Sequence, residues 1–139
     1  MSSTGVEVLR GFHAAFILGL AAAASPASAA GCHVDSFSFI FGSDAQTHMT
    51  VKSGQLCNVS MRMGLRMRSA NVGGPSDVSV AEQAAHGVAS TPDLQNWNYV
   101  SRPGYVGKDR FVIQETGEVM ARYVYSGTSH FTVDVDVMP

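Results

Sequence analysis

From residue 31 onward, apolar and polar side chains alternate along most of the chain. The clearest example is residues 131–137, where a phenylalanine and three valines alternate with Thr132, Asp134 and Asp136. Because successive side chains of a β-strand point to opposite faces of a sheet, this alternation predicts a strand with one buried and one solvated face. Comparable patterns predict further strands at residues 36–41, 56–61, 77–81, 97–100, 110–114 and 119–125.

The segments between these strands are rich in Gly, Pro, Ser and Asn, which favour turns. Ser126-Gly127-Thr128-Ser129 is expected to form a hairpin turn before the last strand, and residues 71–76 are expected to form a loop. After residue 30, no stretch of helical length keeps the period of an amphipathic helix. A set of about seven to eight short strands predicts an all-β domain, either a sandwich or a small barrel.

The first 30 residues differ in composition from the rest. A short polar start is followed by an uncharged apolar run at residues 14–24 and then by Ala27-Ser28-Ala29. This order is typical of a secretory signal peptide that is cut after Ala29 or Ala30. The apolar run is shorter than the about 20 residues that a membrane-spanning helix needs. We therefore expect residues 1–30 to be removed, which leaves one domain at residues 31–139 in the periplasm or outside the cell.

The charge balance limits the choice of partners. The chain has 9 Lys and Arg residues against 11 Asp and Glu residues, and its net charge is −2. Loss of the first 30 residues removes one charge of each sign and leaves the net charge unchanged. Such a balance gives no general attraction to nucleic acid or to anionic membranes. We expect no nucleic-acid partner and no membrane span in the mature form.

Both cysteines, Cys32 and Cys57, lie in the expected mature domain. In an exported chain an even pair of cysteines predicts a disulfide, because the compartment is oxidising. Cys57 shares a strand face with Val59 and Met61, so its thiol is expected to point inward. The alternative is a lipoprotein, since Ala29-Ala30-Gly31-Cys32 faintly resembles a lipobox; Cys32 would then be acylated and Cys57 free.

Several spaced motifs in the second half of the chain resemble a known family. They are Val78 and Val80, then Ala85-His86-Gly87-Val88, then Tyr99-Val100-Ser101-Arg102-Pro103-Gly104-Tyr105-Val106-Gly107-Lys108-Asp109-Arg110-Phe111, and finally Val133, Val135 and Val137. In this pattern the chain resembles the bacterial immunoglobulin-like, cadherin-like modules of exported proteins. It departs from the family pattern at Ala84 and Ser101, where proline is usual, and at Ile113, where an aromatic residue is usual.

This resemblance implies an immunoglobulin-like antiparallel β-sandwich with a structural, adhesion or ligand-binding role. It supplies no catalytic residue and no cofactor. The chemistry of the motif residues is structural. Gly87, Gly104 and Gly107 are expected to adopt positive φ angles. Asp109 is expected to accept hydrogen bonds from backbone N–H groups of the preceding loop, and Tyr105 and Phe111 are expected to fill the core.

A metal site is the main alternative function. The expected mature domain has four histidines, His33, His48, His86 and His130, none spaced as a metal-binding pair. Met61, Met63 and Met67 form a denser group, and thioethers with imidazoles suit copper. Since Met61 and Met63 share a strand face with Val59, core packing is the preferred interpretation, and a periplasmic copper-binding protein is the alternative.

The remaining candidates concern binding and catalysis. Arg62, Arg66 and Arg68 form a basic cluster and are a possible binding surface for an acidic glycan or headgroup, unless they are ordinary solvated arginines. Trp97 is expected in the core, with an exposed sugar platform as the alternative. No nucleophile motif such as Gly-x-Ser-x-Gly is present. The sequence therefore predicts a non-enzymatic module whose protein or glycan partner is unknown.

Overall fold

The computed structural model describes residues 31–61, 72–120 and 122–139. The expected signal peptide at residues 1–30 lies outside the described residues, and so does segment 62–71 with its three arginines. The strands are β1 (Cys32–Val34), β2 (Ala45–Lys52), β3 (Leu56–Ser60), β4 (Val72–Glu82), β5 (Gly87–Ser90), β6 (Asn96–Ser101), β7 (Gly107–Met120) and β8 (Val124–Met138).

These strands form two sheets that enclose the core. The larger sheet has the order β1-β2-β8-β7-β4, and the smaller sheet has the order β3-β6-β5. Neighbouring strands are antiparallel, except that β2 runs parallel to β8. Most inward residues of both sheets are apolar and buried, as the alternating pattern predicts. The all-β sandwich expected from the sequence is confirmed.

The grouping of six of the eight strands agrees with that of an immunoglobulin-like domain. Strands β4, β7 and β8 correspond to the C, F and G strands of that fold, and β3, β6 and β5 correspond to B, E and D. Antibody domains connect strands B and F through a disulfide and carry a core tryptophan on strand C. Here the disulfide connects β1 to β3 and the tryptophan, Trp97, lies on β6. The arrangement of these six strands is therefore shared, whereas β1 and β2 join the sheet of β8 instead of that of β3, and the covalent and aromatic anchors are also placed differently.

The hairpin of β7 and β8 is longer than the sequence predicts. β7 continues to Met120 and β8 begins at Val124, so the turn predicted at residues 126–129 is wrong. Gly127 lies within the ladder opposite Gly117. Its φ angle of 142° is sterically allowed because glycine has no Cβ. The predicted loop at residues 71–76 is also wrong, because β4 begins at Val72 and pairs with the end of β7. Long-range pairing has overridden local turn composition.

In the amino-terminal half, the strand lies in a different segment from the predicted one. Residues 36–41 contain only a single bridge residue instead of the predicted strand, although Phe39 and Phe41 are buried. The strand lies at β2 instead, which was not predicted. β2 lies between β1 and β8 in the sheet, and its inward residues Thr47, Met49 and Val51 are buried.

A disulfide between Cys32 and Cys57 closes one side of the sandwich. The two Cα atoms are 5.7 Å apart, and no cysteine is free among the described residues. Cys57 and Val59 point inward and are buried, as predicted, and Met61 just beyond β3 is buried as well. Because β1 belongs to the larger sheet and β3 to the smaller one, the bond connects the two sheets at their edges. Of the two interpretations of the cysteines, the structure contains the disulfide.

The centre of the core is aromatic. Phe111 is fully buried between Trp97 and Tyr99, with ring centroids 5.4 and 5.3 Å away. The Phe111 and Tyr99 rings are stacked, and the Trp97 ring meets Phe111 edge to face. The predicted core positions of Phe111 and Trp97 are therefore confirmed, and an exposed sugar platform at Trp97 is excluded.

The Glu115 carboxyl group is buried in this core. Glu115 lies on the inward side of β7, opposite Ser129 of β8 and Val78 of β4, and is 1% exposed. Its Oε2 atom has no hydrogen-bond partner in the described structure. Burial disfavours the ionised form and raises the pKa of Glu115 to about 7. The sequence prediction ended this strand at residue 114 and missed this group.

Candidate functional site

The residues of the family-like motif form a hydrogen-bonded cluster around Asp109. Its carboxylate accepts hydrogen bonds from the backbone N–H of Ala85 at 3.0 Å and of His86 at 3.1 Å, and from the Tyr99 hydroxyl at 2.8 Å. Burial, together with this carboxylate, raises the pKa of Tyr99. The predicted role of Asp109 is thus confirmed, but the N–H groups come from the turn before β5 rather than from the loop before β7.

The rest of the motif supports the same turn. The His86 ring stacks on the Tyr105 ring with centroids 4.2 Å apart, and the Tyr105 hydroxyl donates to the Lys108 carbonyl at 2.5 Å. Gly104 and Gly107 have positive φ angles of 82° and 142°, as predicted. Gly87 does not; it is required because a Cβ there would lie 2.6 Å from the Tyr99 ring. The motif therefore acts as scaffold, and the candidate binding groups lie elsewhere.

The outer side of β1, β2, β8 and β7 is a charged face, and the charges of Asp134, Asp136, Arg110 and Lys108 on it are paired with one another. Asp134 accepts from the Arg110 guanidinium at 2.7 Å, and this bond is the main reason that the pKa of Asp134 is lowered. Asp136 is bonded to Lys108 and, at 2.8 Å, to His48. The Lys108 contact contributes most to lowering the pKa of Asp136. A ligand for this face would have to compete with these internal partners.

A groove of about 580 Å³ lies on this face beside the turn that Asp109 holds. Its charged and imidazole lining consists of His48, Glu82, His86, Lys108, Asp109, Arg110 and Asp134. The lining has three carboxylates against two cations, so the groove presents no strong excess of charge that would select an anion or a cation. In the folded protein, His48 and His86 both line this groove.

The outer side of β3, β6 and β5 is an uncharged face. Leu56 of β3 and Val88 of β5 both lie opposite Val100 of the central strand, which makes a row of aliphatic side chains across the sheet. Leu56 is 56% exposed and Val88 is 57% exposed. Asn58 and Ser90 flank Asn98 in the next row. No outward side chain of these three strands is charged.

The charges near this face lie at its ends. Beyond the aliphatic row, the Arg102 guanidinium donates to the Ala85 carbonyl at 3.0 Å. Beyond the opposite end, the Asp93 carboxylate accepts from the Asn96 side-chain amide at 2.9 and 3.0 Å. An apolar and amide centre with a charged rim is the composition that protein interfaces have, because charged groups are depleted from the interface core. The sequence analysis missed this face, although the absence of charge in its strands is visible in the sequence.

Among the described residues, the four histidines and Met61 do not converge on one common site. His33 and His48 both approach Asp35, at 3.3 and 3.7 Å, on the charged face, while the His130 ring lies 3.3 Å from Asp44. Met61 is buried in the core, which confirms core packing for this residue. Met63 and Met67 lie outside the described residues. Among the described residues, no three His, Cys, Asp or Glu side chains have the geometry to hold a metal ion.

The basic cluster remains a prediction, because Arg62, Arg66 and Arg68 lie outside the described residues. The described part of the chain contains no helix that is long and apolar enough to span a membrane. Comparison with protein-family models finds no match. Comparison with curated proteins finds none either.

Proposed function

We propose that this chain is an exported, non-enzymatic immunoglobulin-like module of the cadherin-like type, and that it binds a protein partner through its uncharged face. The observation that carries the proposal is the aliphatic row of Leu56, Val100 and Val88 on a sheet face without charged side chains. Isolated exposed aliphatic residues are common on protein surfaces, but a contiguous row with a charged rim is typical of a contact surface.

The free energy of covering the surface favours binding at the uncharged face over binding at the charged face. A partner that covers Leu56 and Val88 would remove about half of each side chain from water, worth roughly 1 kcal/mol for each. The Asn and Ser side chains around them can keep hydrogen bonds across an interface. On the charged face, by contrast, the partner would have to desolvate the paired charges of Asp134, Asp136 and Arg110, which is costly.

Export is supported by the composition of residues 1–30 and by the disulfide between Cys32 and Cys57, because disulfides persist in oxidising compartments. We expect the exported protein to begin at Ala30 or Gly31. Intact-mass analysis of protein from the periplasm or medium measures this. A mature form that retains Met1 would contradict the proposal, and a lipid-sized mass increase would support the lipoprotein alternative.

Site-specific crosslinking tests the uncharged face. A photo-crosslinking residue placed at Val88 should yield an adduct in the expressing cells, while the same residue at Thr132, on the charged face, should not. The partner identified in the adduct should then bind the purified domain, and Val88→Lys should weaken that binding at least about tenfold, since it buries an unpaired charge. Equal adducts from both positions would refute the choice of face.

The copper alternative is a periplasmic protein that holds copper through methionine and histidine side chains. Among the described residues, His33 and His48 are the two histidines that approach the same carboxylate, that of Asp35. Titration of the purified domain with Cu(I) and Cu(II) tests it. Binding of one ion that is lost in His48→Ala would support the alternative. Absence of saturable binding would remove it and leave the binding module as the proposal.

A further inference from the structure

The two sheets of this sandwich are open, so four strands lie at edges: β1 and β4 in the larger sheet, and β3 and β5 in the smaller one. An edge strand presents N–H and C=O groups without partners, which can pair with a strand of another chain. Natural proteins block such edges with proline, charged side chains, bulges, short strands or side-chain caps. Each edge of this molecule can be compared against these devices.

Three of the four edges are blocked. β4 contains Pro75 and Asp77 and has two interruptions of its register with β7. β1 is only three residues long. On β5, the Gln83 side chain accepts from the Ala89 N–H at 2.6 Å and donates to the Ala89 carbonyl at 3.0 Å. This amide occupies the position that the peptide group of a neighbouring strand would take, so it caps the middle of the β5 edge.

Within the described residues, the edge of β3 has none of these devices. Its sequence Leu56-Cys57-Asn58-Val59-Ser60 contains no proline and no charge, and its register with β6 is uninterrupted. The Met61 N–H donates to the Gln95 carbonyl on the β6 side. Because hydrogen-bonding direction alternates along an antiparallel strand, Cys57 and Val59 also face β6, while Leu56, Asn58 and Ser60 direct their peptide groups outward. Those outward groups have no backbone partner within the described residues.

This edge is complementary to itself. If a second copy approaches antiparallel with a two-fold axis at Asn58, Leu56 of one copy faces Ser60 of the other, and Asn58 faces Asn58. Each outward-facing residue then donates one N–H and accepts one. No charged side chains are opposed, although the whole chain has a net charge of −2. The Asn58 amide already donates to Asn98 Oδ1 at 2.5 Å, which leaves its own oxygen and second N–H for the other copy.

We propose that β3 is a strand-pairing edge that joins two copies of this chain, antiparallel and about a two-fold axis at Asn58. The pair contains a continuous sheet in the order β5-β6-β3-β3-β6-β5. Its outer side is an uncharged face of twice the width, with an unbroken row of asparagines along its centre. The proposal goes beyond the function proposed above, because an edge pairs through its backbone and needs no foreign partner.

Sedimentation velocity of the oxidised mature protein over a range of concentrations tests this proposal. We expect a concentration-dependent dimer. Asn58→Lys places two like charges opposite each other across the axis and should weaken dimerisation by about fivefold or more. The matched control is Asn98→Lys, which removes the same side-chain hydrogen bond and adds the same charge on the same face, but one strand away from the edge. It should change dimerisation much less.

A charge-swap experiment makes the test independent of how well one variant folds. Asn58→Lys alone and Asn58→Asp alone should both remain largely monomeric, whereas an equimolar mixture should form the heterodimer. Amide hydrogen exchange at Leu56, Asn58 and Ser60 should slow on dimerisation in the wild-type protein.

The proposal would be overturned by a wild-type protein that stays monomeric, by a dimer that responds equally to both lysine variants, or by a mixture without preference for the heterodimer. Protection of the β3 amides that requires a different protein would replace the second copy with a foreign strand and would also overturn it. Failure of the crosslinking experiment at Val88, by contrast, would affect only the proposed function.

Discussion

Ionisation of Glu115 should make this domain less stable as the pH rises. The unfolded chain releases the Glu115 proton near pH 4.5, whereas the folded protein holds it until about pH 7. Between these values the unfolded state binds fewer protons than the folded state, so the free energy of unfolding falls with rising pH. The loss begins above about pH 4.5 and levels off above pH 7. The difference of about 2.5 pKa units corresponds to about 3 kcal/mol.

The structure supplies the reason for this magnitude. Glu115 is 1% exposed, and its Oε2 atom has no hydrogen-bond partner in the described structure. The neighbouring inward residues of β7 are Ile113 and Gly117, neither of which can donate a side-chain hydrogen bond. A negative charge in these surroundings loses its hydration without compensation, which is the usual origin of a raised carboxyl pKa.

Urea unfolding measures the effect, with Trp97, the single tryptophan of the chain, as the fluorescent probe. From pH 4.5 to pH 8.5, the wild-type protein should lose about 3 kcal/mol relative to Glu115→Gln, which cannot ionise. Every other titratable group is shared by the two proteins and cancels in the comparison. Glu118→Gln is the matched control, because Glu118 is exposed on the same strand; its curve should follow the wild type. Parallel curves for wild type and Glu115→Gln would refute the reasoning.

Three further predictions concern stability. Phe111→Ala should lower the free energy of unfolding in urea by about 3–5 kcal/mol, because it opens a cavity between Trp97 and Tyr99; a loss below about 1 kcal/mol would contradict the core position. Reduction of the disulfide between Cys32 and Cys57 should cost about 3 kcal/mol in the same assay, since it frees a loop of 25 residues. Gln83→Ala should speed amide exchange at Ala89 and cost about 1–2 kcal/mol, with Gln83→Glu losing the donor alone. Unchanged exchange at Ala89 would show that the cap is not formed in solution.

The sequence predicts the fold well where one face of a strand is strictly apolar. Residues 131–137 and the inward face of Cys57 and Val59 are examples, because burial on one side leaves little choice of register. The same argument predicts the disulfide, since it requires only an inward thiol and an oxidising compartment. These features depend on local alternation, which the sequence displays directly.

The remaining features depend on contacts between distant segments. Gly127 lies in a segment with the composition of a turn, but its position opposite Gly117 is determined by the register of the whole β7–β8 hairpin. Gly87 is required by the position of the Tyr99 ring, which no local pattern specifies. The uncharged face likewise arises only when β3, β6 and β5 are brought side by side, since each strand alone has an ordinary pattern. Position in the folded sheet, and not composition, determines the roles of these residues.

The parallel pairing of β2 with β8 determines when this chain can finish folding. β2 is the first long strand and β8 is the last, and their ladder runs from Ala45 with Phe131 to Lys52 with Met138. A polypeptide that crosses a membrane from its amino end therefore carries β2 across without its central neighbour. β2 then has only the short β1 beside it until the final residues emerge. If the chain is exported from its amino end, as proposed above, this pairing delays completion of the larger sheet until the last residues have crossed the membrane.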